Sequence, residues 1–273
     1  MSDEPTFLDD VKQAARAWRG SWLVPGLYLL VALLGVLAVA AMPTPPAHCD
    51  QKVFGQCPVP VDQEQRVLLI SFLSLPFTVF QVGLTGAMRV WYVRRFAGGD
   101  LTPNEVWSLS WKFFGRFFLL GLLLVAILMP VGILTFVLLA DGSTGGALVV
   151  ILAGTVVADV GMTFVTPGLA LYNPSVGRAL SGGLSILRST WPACALYALV
   201  PPLALSLLGR GFGRGHYKPL ELLGALTGPP LTLLFAGATV AFLVRRWPPM
   251  SDTGTVWMPA RRQQQYLSIP REP

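Results

Sequence analysis

Two long apolar runs near the middle of the chain decide its class. Residues 117–140 read FFLLGLLLVAILMPVGILTFVLLA, and after the turn DGSTGG residues 147–172 read ALVVILAGTVVADVGMTFVTPGLALY. A helix rises about 1.5 Å per residue, so about 20 apolar residues cross a hydrocarbon core of about 30 Å. Neither run alternates with the period of two that a barrel strand requires. The pair therefore predicts a transmembrane helical hairpin.

Four more apolar runs lie on either side of this hairpin. The predicted spans are 22–42, 67–88, 117–140, 147–172, 190–208 and 222–244. Of the 273 residues, 53% are hydrophobic and 12% are charged, and that charged share is about half the usual one. This composition excludes a soluble or a disordered chain. We predict an all-α polytopic bundle of six transmembrane helices in a single membrane domain, residues 1–246. A disordered, Pro- and Arg-rich cytoplasmic tail, residues 247–273, follows it.

The basic residues set the orientation of these spans. The net charge is +6, but the cations flank apolar runs, so topology and anionic lipid explain them better than nucleic acid does. With the N-terminus in the cytoplasm, 15 of the 20 Lys and Arg fall inside, which predicts that both termini are cytoplasmic. The alternative is a signal peptide, because residues 38–40 read AVA, the form of a cleavage site. The apolar run at 22–42 is longer than the usual core of a signal peptide, which favours an uncleaved first helix.

Amphipathic stretches precede the first, third and fifth spans. They begin at Thr6, at Thr102 and at Asn173-Pro174, and each ends at an arginine 13 to 15 residues later. The terminal arginines are Arg19, Arg116 and Arg188. The apolar faces comprise Phe7, Leu8, Val11, Ala14, Ala15 and Trp18; Val106, Trp107, Trp111 and Phe114; and Val176, Leu180, Leu184, Leu187 and Trp191. We predict three cytoplasmic interfacial helices in three parallel helix-hairpin repeats, with apolar faces in the acyl boundary. The alternative is that any loop returning to a membrane tends to be amphipathic.

Short motifs along the chain resemble a known family. They are the segment from Met88 through RRFAGG at 94–99, the segment FVTPGLAL at 164–171, GRALS at 177–181 and LRSTW at 187–191. These motifs resemble a bacterial six-helix family of uncharacterised inner-membrane proteins, similar to the membrane domain fused to some glycerophosphoryl diester phosphodiesterases. The chain departs from that pattern where Tyr172-Asn173 replaces an acidic residue, and no phosphodiesterase domain is attached. The resemblance implies a fold and a bacterial plasma (inner) membrane location, not a reaction.

One acidic residue lies deep in an apolar run. Asp159 falls near the predicted bilayer midplane, where an unpaired carboxylate costs several kcal/mol, on the order of 3 or more. Prolines that break helix hydrogen bonds lie at similar depth in the fifth and sixth spans: Pro201, Pro202, Pro229 and Pro230. Together they suggest a midplane pathway of a transporter or channel-like permease. The alternative is a protonated Asp159 that serves helix packing and ordinary kinking at the prolines.

Two outer loops carry the remaining candidate residues. Arg210, Arg214 and Lys218 in a Gly-rich loop could bind a phosphate or a lipid headgroup, or could simply be solvated. Cys49 and Cys57 share the first outer loop, where a disulfide and two free thiols are both open. Nearby ligands are too few for a metal site.

Catalytic chemistry is not indicated by this sequence. The two histidines fall in predicted outer loops, and the chain has no acidic pair, serine elbow or metal-spaced cluster near the membrane. We therefore predict a non-enzymatic membrane scaffold or accessory protein without a cofactor. Its predicted partners are anionic membrane lipids, which Arg19, Arg116 and Arg188 would contact. The permease around Asp159 is the alternative function.

Overall fold

The computed structural model describes residues 6–40, 61–172, 175–211 and 218–246, with side chains at all of these positions except 36–40, 61–78, 206–211 and 218–225. This part of the chain consists of nine α-helices and contains no strand, which confirms the predicted all-α class. The helices are α1 (Phe7–Trp18), α2 (Leu23–Ala40), α3 (Val61–Phe96), α4 (Pro103–Ala140), α5 (Thr144–Met162), α6 (Val165–Leu171), α7 (Val176–Ser189), α8 (Ala195–Gly211) and α9 (Lys218–Arg246).

Two of the predicted helix starts carry a capping box. At α1 the Asp9 carboxylate accepts hydrogen bonds from the backbone N–H and the hydroxyl of Thr6, at 3.0 and 2.7 Å. The Thr6 hydroxyl in turn accepts from the backbone N–H of Asp9, and these bonds from Thr6 lower the pKa of the Asp9 carboxyl. Thr102 and Glu105 form the same box at the start of α4. Both starts are therefore confirmed.

The third predicted start is different. Asn173 and Pro174 lie outside the described residues, and the N-cap of α7 is Ser175, which makes no side-chain capping bond. The fourth predicted span is also interrupted, because α5 ends at Met162 and α6 begins at Val165. Pro167 explains this break, since it has no N–H to donate to the carbonyl of Thr163 and its ring would clash with that carbonyl.

The second predicted interfacial helix is not a separate element. Helix α4 runs unbroken from Pro103 to Ala140 through the predicted boundary at Arg116. No proline lies between its first turn and Pro130, so nothing in the sequence ends the helix at the membrane surface. The prediction of three separate amphipathic helices is wrong at this copy: α1 and α7 are distinct helices, and the second stretch is the first part of α4.

Several helices are long and apolar enough to cross a membrane. They are Pro103–Ala140, Thr144–Leu171 and Leu226–Arg246, and a fourth results if the pair Phe7–Trp18 and Leu23–Gly35, bent by 95°, forms one span. The described part of the chain thus has three to four candidate spans. By length and composition, these helices are those of a helical membrane protein.

Helices that follow one another pack together, most extensively α3 against α4, and also α4 against α5, α2 against α3 and α8 against α9. Their largest fully buried side chains include Trp91 and Tyr92 of α3, Phe113 of α4 and Phe164 before α6. The apolar face of α1 packs against α9 and α3, with Ala14 and Ala17 buried. This corrects the predicted placement in the acyl boundary for Phe7, Val11, Ala14 and Trp18, which pack on protein, whereas Leu8 and Ala15 of the same predicted face are exposed.

Among the three candidate spans, the hairpin helices α4 and α5 have the fewest buried residues. No residue in the most apolar 18-residue stretch of α4 is buried, whereas 44% of the corresponding stretch of α9 is. Exposed side chains along α4 include Val125, Met129, Ile133 and Phe136. The hairpin is therefore the surface that this chain offers to lipid or to another protein.

Candidate functional site

Polar contacts gather at one end of the bundle, which we call the α1 end. It consists of α1, the last turns of α3 and α9, and the first turns of α4 and α8. Asp10 of α1 contacts Arg245 of α9 and Tyr197 of α8, while Arg94 of α3 pairs with Glu105 of α4 at 2.8 Å. Three of the segments that the sequence predicts to be cytoplasmic therefore meet at this end: the N-terminal segment, the loop between the second and third spans, and the end of the sixth span.

Asp10 is the centre of a buried polar cluster there. Its side chain is 1% exposed, although it lies on a helix of which most charged residues face outward. The Oδ2 atom accepts from the Tyr197 hydroxyl and from Nη2 of Arg245, each at 2.5 Å. A buried carboxylate is tolerated only when it is paired and hydrogen-bonded, and both conditions hold here. The cluster fastens α1 to α8 and α9.

Tyr92 makes a second connection between α1, α3 and α9. Its hydroxyl accepts from the Trp18 indole N–H at 2.8 Å and donates to the carbonyl of Leu233 at 2.9 Å. Arg95 adds a bond from Nε to the carbonyl of Ala17 at 3.2 Å. The hydroxyl of Tyr92 thus has a donor and an acceptor, as buried polar groups require.

A tight turn links α3 to α4 at the same end. Gly98 has a φ of +83°, a conformation that side chains with a Cβ rarely adopt. Asp100 fixes the turn, because its Oδ1 accepts from the indole of Trp91 at 2.9 Å and from the backbone N–H of Leu101 at 2.8 Å. The RRFAGG segment is therefore the last turn of α3 followed by the tight turn, and its two arginines make defined contacts from the helix end.

Arg89 is a buried cation whose partners are neutral. Its side chain donates from Nη1 to the carbonyl of Thr85 at 2.5 Å and from Nη2 to the Thr166 hydroxyl at 3.0 Å. The guanidinium lies 5.6 Å from the centre of the Phe117 ring. No carboxylate of the described residues pairs with it. Arg89 therefore joins α3 to α4 and α6 through hydrogen bonds and a cation–π contact.

We expect the replacement Arg89→Lys to lower the free energy of unfolding by roughly 1.5–3 kcal/mol, the usual worth of a hydrogen bond to a charged group. An ammonium group cannot bond Thr85 and Thr166 at once and also lie flat on Phe117. Thermal unfolding in nanodiscs measures the change. The exposed Arg188→Lys is the control and should stay within about 0.5 kcal/mol of the parent chain. Equal stability of the two variants would contradict the role assigned to Arg89.

The predicted lipid contacts lie where the amphipathic helices meet the apolar ones. Arg19 and Arg188 are exposed, beside Trp22 and Trp191, which are 63% and 50% exposed. Arg116 is half-buried, with its guanidinium 5.7 Å from the centre of the Phe113 ring. Three further predicted contacts lie outside the described side chains: Arg210, Arg214 and Lys218.

The residues of the predicted midplane pathway differ in their surroundings. Asp159 is exposed on α5, whereas Pro202 is buried and Pro201, Pro229 and Pro230 are half-buried within α8 and α9. The prolines are accommodated inside continuous helices. The carboxylate thus faces outward from the bundle, and the transport hypothesis stays a prediction.

Few of the residues behind the disulfide and metal predictions are described by the structure. Cys49 and Cys57 lie outside the described residues, and Cys194 is a buried free thiol. Within the described ranges no group of three or more His, Cys, Asp or Glu side chains could hold a metal ion.

Sequence reasoning did not single out Asp10, Tyr197, Arg245 or Arg89. One signal was present for Asp10, which lies three residues after Phe7 and four before Ala14 and so shares their helical face. An acid within an apolar face indicates a buried partner. The arginines gave no such signal, because a basic residue at the end of a span is expected from topology alone.

Comparisons with protein families, curated proteins and solved structures found no match. The resemblance to the bacterial six-helix membrane family is thus a prediction that these comparisons do not test.

Proposed function

We propose that this chain is a six-span integral membrane protein of the bacterial plasma membrane that acts as a non-enzymatic scaffold or accessory protein. Its α1 end would lie at the cytoplasmic surface and bind anionic lipid headgroups. The three helix pairs α2–α3, α4–α5 and α8–α9 support three parallel hairpin repeats, since each pair is preceded by an amphipathic segment.

One observation carries the lipid-binding part of the proposal. Where α1 leads into α2 and where α7 leads into α8, an exposed arginine precedes an exposed tryptophan by three residues: Arg19 and Trp22, and Arg188 and Trp191. Along α4, Trp107 and Trp111 are also more than half exposed, near Arg116. Tryptophan is enriched at the boundary between water and lipid, and arginine there attracts anionic headgroups. A soluble surface would not retain so many exposed indoles.

The test is the triple replacement of Arg19, Arg116 and Arg188 by Gln. Each cation near an anionic surface contributes about 1 kcal/mol, so the variant should retain anionic phospholipid about 10- to 100-fold less well. Retention is measured by quantifying the lipid that copurifies after exchange into nanodiscs of mixed composition.

The matched control replaces the same three arginines by Lys, which keeps the charge and should keep most of the retention. Raising the salt concentration should weaken binding to the parent chain and have less effect on the Gln variant, because ions screen exposed charges. Unchanged lipid retention in the Gln variant would refute the proposal.

A further inference from the structure

Asp159 is an acid on the outer surface of an apolar helix. It lies near the middle of the candidate span Thr144–Leu171 and is exposed. Two exposed apolar side chains of α5, Val149 and Ile151, are 66% and 41% exposed and lie two to three turns before Asp159, about 80° to either side of it around the helix. Val157, 71% exposed, is two residues away and lies on nearly the opposite face. If this span crosses the membrane, the carboxylate faces the hydrocarbon core rather than water.

The carboxylate has no partner in the described part of the chain. The nearest hydroxyls on its helix are those of Thr155 and Thr163, four residues before and after it. Thr155 donates to the carbonyl of Ile151 at 2.8 Å, and Thr163 donates to the backbone carbonyl of Asp159 at 3.1 Å. Both hydroxyls are thus bonded to their own helix, and neither stabilises the side chain of Asp159.

Two other acids of this protein, near helix ends, each accept hydrogen bonds from a hydroxyl and from an arginine. Asp10 accepts from Tyr197 and Arg245, and Glu105 accepts from Thr102 and Arg94. Asp159 differs because an unpaired carboxylate in hydrocarbon costs several kcal/mol, on the order of 3 or more. A partner that removes this cost must supply a cation or a strong hydrogen-bond donor.

A second copy of this chain offers no such cation, because none of the six predicted spans contains Lys or Arg. The exposed Lys and Arg with described side chains lie on the amphipathic segments and at helix ends: Lys12, Arg16, Arg19, Lys112, Arg178, Arg188, Arg245 and Arg246. They are not at the depth of Asp159. A copy packed side by side in the same orientation would bring one Asp159 against the other. Charge complementarity therefore favours a different protein.

We propose that the exposed face of α5 around Asp159 docks a transmembrane helix of a partner protein that carries Lys or Arg at the matching depth. The inference rests on the proposed membrane location and specifies the accessory role. The apolar residues around Asp159 would pack against the partner helix, and the cation would pair with the carboxylate. An ion pair removed from water fixes both the depth and the rotation of the two helices.

The test uses the full chain in liposomes together with synthetic single-span helices of Leu and Ala. One peptide carries a central Lys, a second carries Leu at that position, and two more carry Lys displaced by one and two turns. Energy transfer between a labelled chain and a labelled peptide measures association. We expect the central-Lys peptide to bind at least 10-fold more tightly than the Leu peptide, with weaker binding as Lys moves away.

Asp159→Asn should reduce binding of the central-Lys peptide to the level of the Leu peptide. The matched control is Asp141→Asn, an exposed acid in the turn before α5, which should leave binding unchanged. Because the Asp159 side chain makes no hydrogen bond or ion pair with the described residues, the variant should unfold at the same temperature as the parent and retain the same lipid. Lipid retention thus separates failure of this inference from failure of the proposed function.

Three outcomes would overturn the inference. The first is equal binding of the Lys and Leu peptides, which would make Asp159 a neutral, lipid-facing acid. The second is undiminished binding to the Asp159→Asn chain, which would place the docking elsewhere. The third is energy transfer between two labelled copies of the chain that Asp159→Asn abolishes while the Lys peptide has no effect, which would identify a second copy as the occupant.

Discussion

Gly83→Ala is expected to destabilise the bundle by about 3 kcal/mol, the upper end of the usual cost of overpacking. A Cβ atom at this position of α3 would overlap the backbone carbonyl oxygen of Ser110 on α4. A backbone atom cannot rotate away as a side chain can, so the two helices must separate. Thermal unfolding in nanodiscs should show a lower midpoint.

The control for this variant is Gly121→Ala on α4. A Cβ there meets nothing within 4 Å, so only the better helix propensity of alanine remains, worth up to about 1 kcal/mol. The two identical substitutions should therefore shift stability in opposite directions. If both variants are equally stable, α3 and α4 do not cross at Gly83.

Asp10→Ala is expected to lower the free energy of unfolding by about 2–3 kcal/mol. Removing the carboxylate leaves the Tyr197 hydroxyl and the Arg245 guanidinium without their acceptor. A fully buried pair would cost about 3–5 kcal/mol, but Arg245 is 33% exposed and water compensates part of its loss. The neighbouring exposed acid gives a matched control, since Asp9→Ala should cost about 1 kcal/mol through the helix cap.

A double-mutant cycle checks that the effect comes from the pair. Arg245→Ala in the Asp10→Ala background should cost at least about 1 kcal/mol less than it does in the parent chain, because its partner is already gone. Strictly additive losses would mean that the two side chains do not interact. Limited proteolysis gives a second readout, since α1 should become cleavable when it is no longer fastened to α9.

The helices were largely predictable because they follow from apolar runs of known length. The runs at 117–140 and 222–244 lie within α4 and α9, and the boxes at Thr6 and Thr102 start helices as expected. The end of α5 was not predicted. Pro167 breaks its helix and Pro130 does not interrupt α4, although both remove one hydrogen bond. A proline in an apolar run therefore did not by itself predict where a helix ends.

The contacts of the candidate site were less predictable than the helices, because they depend on how distant helices pack together. An amphipathic pattern shows that one face of α1 is covered, but it does not say whether lipid or protein covers it. In the structure the covering residues come from α9, more than 200 positions away along the sequence. Asp159 was recognisable as an unusual acid, yet the direction in which it faces depends on how α5 packs against α4. Both properties arise from tertiary contacts.

The contact between Asp10 and Arg245 has a consequence for the order in which the protein assembles. The two residues are 235 positions apart, so Asp10 leaves the ribosome long before Arg245 exists. At 5–20 residues per second the delay is roughly 12–47 s. Throughout that time the Asp10 carboxylate must remain hydrated or accept hydrogen bonds from another group. The first helix to be synthesised therefore completes its contacts among the last, and a nascent chain truncated before α9 should hold it only through Tyr92 and Arg95 of α3 and Tyr197 of α8.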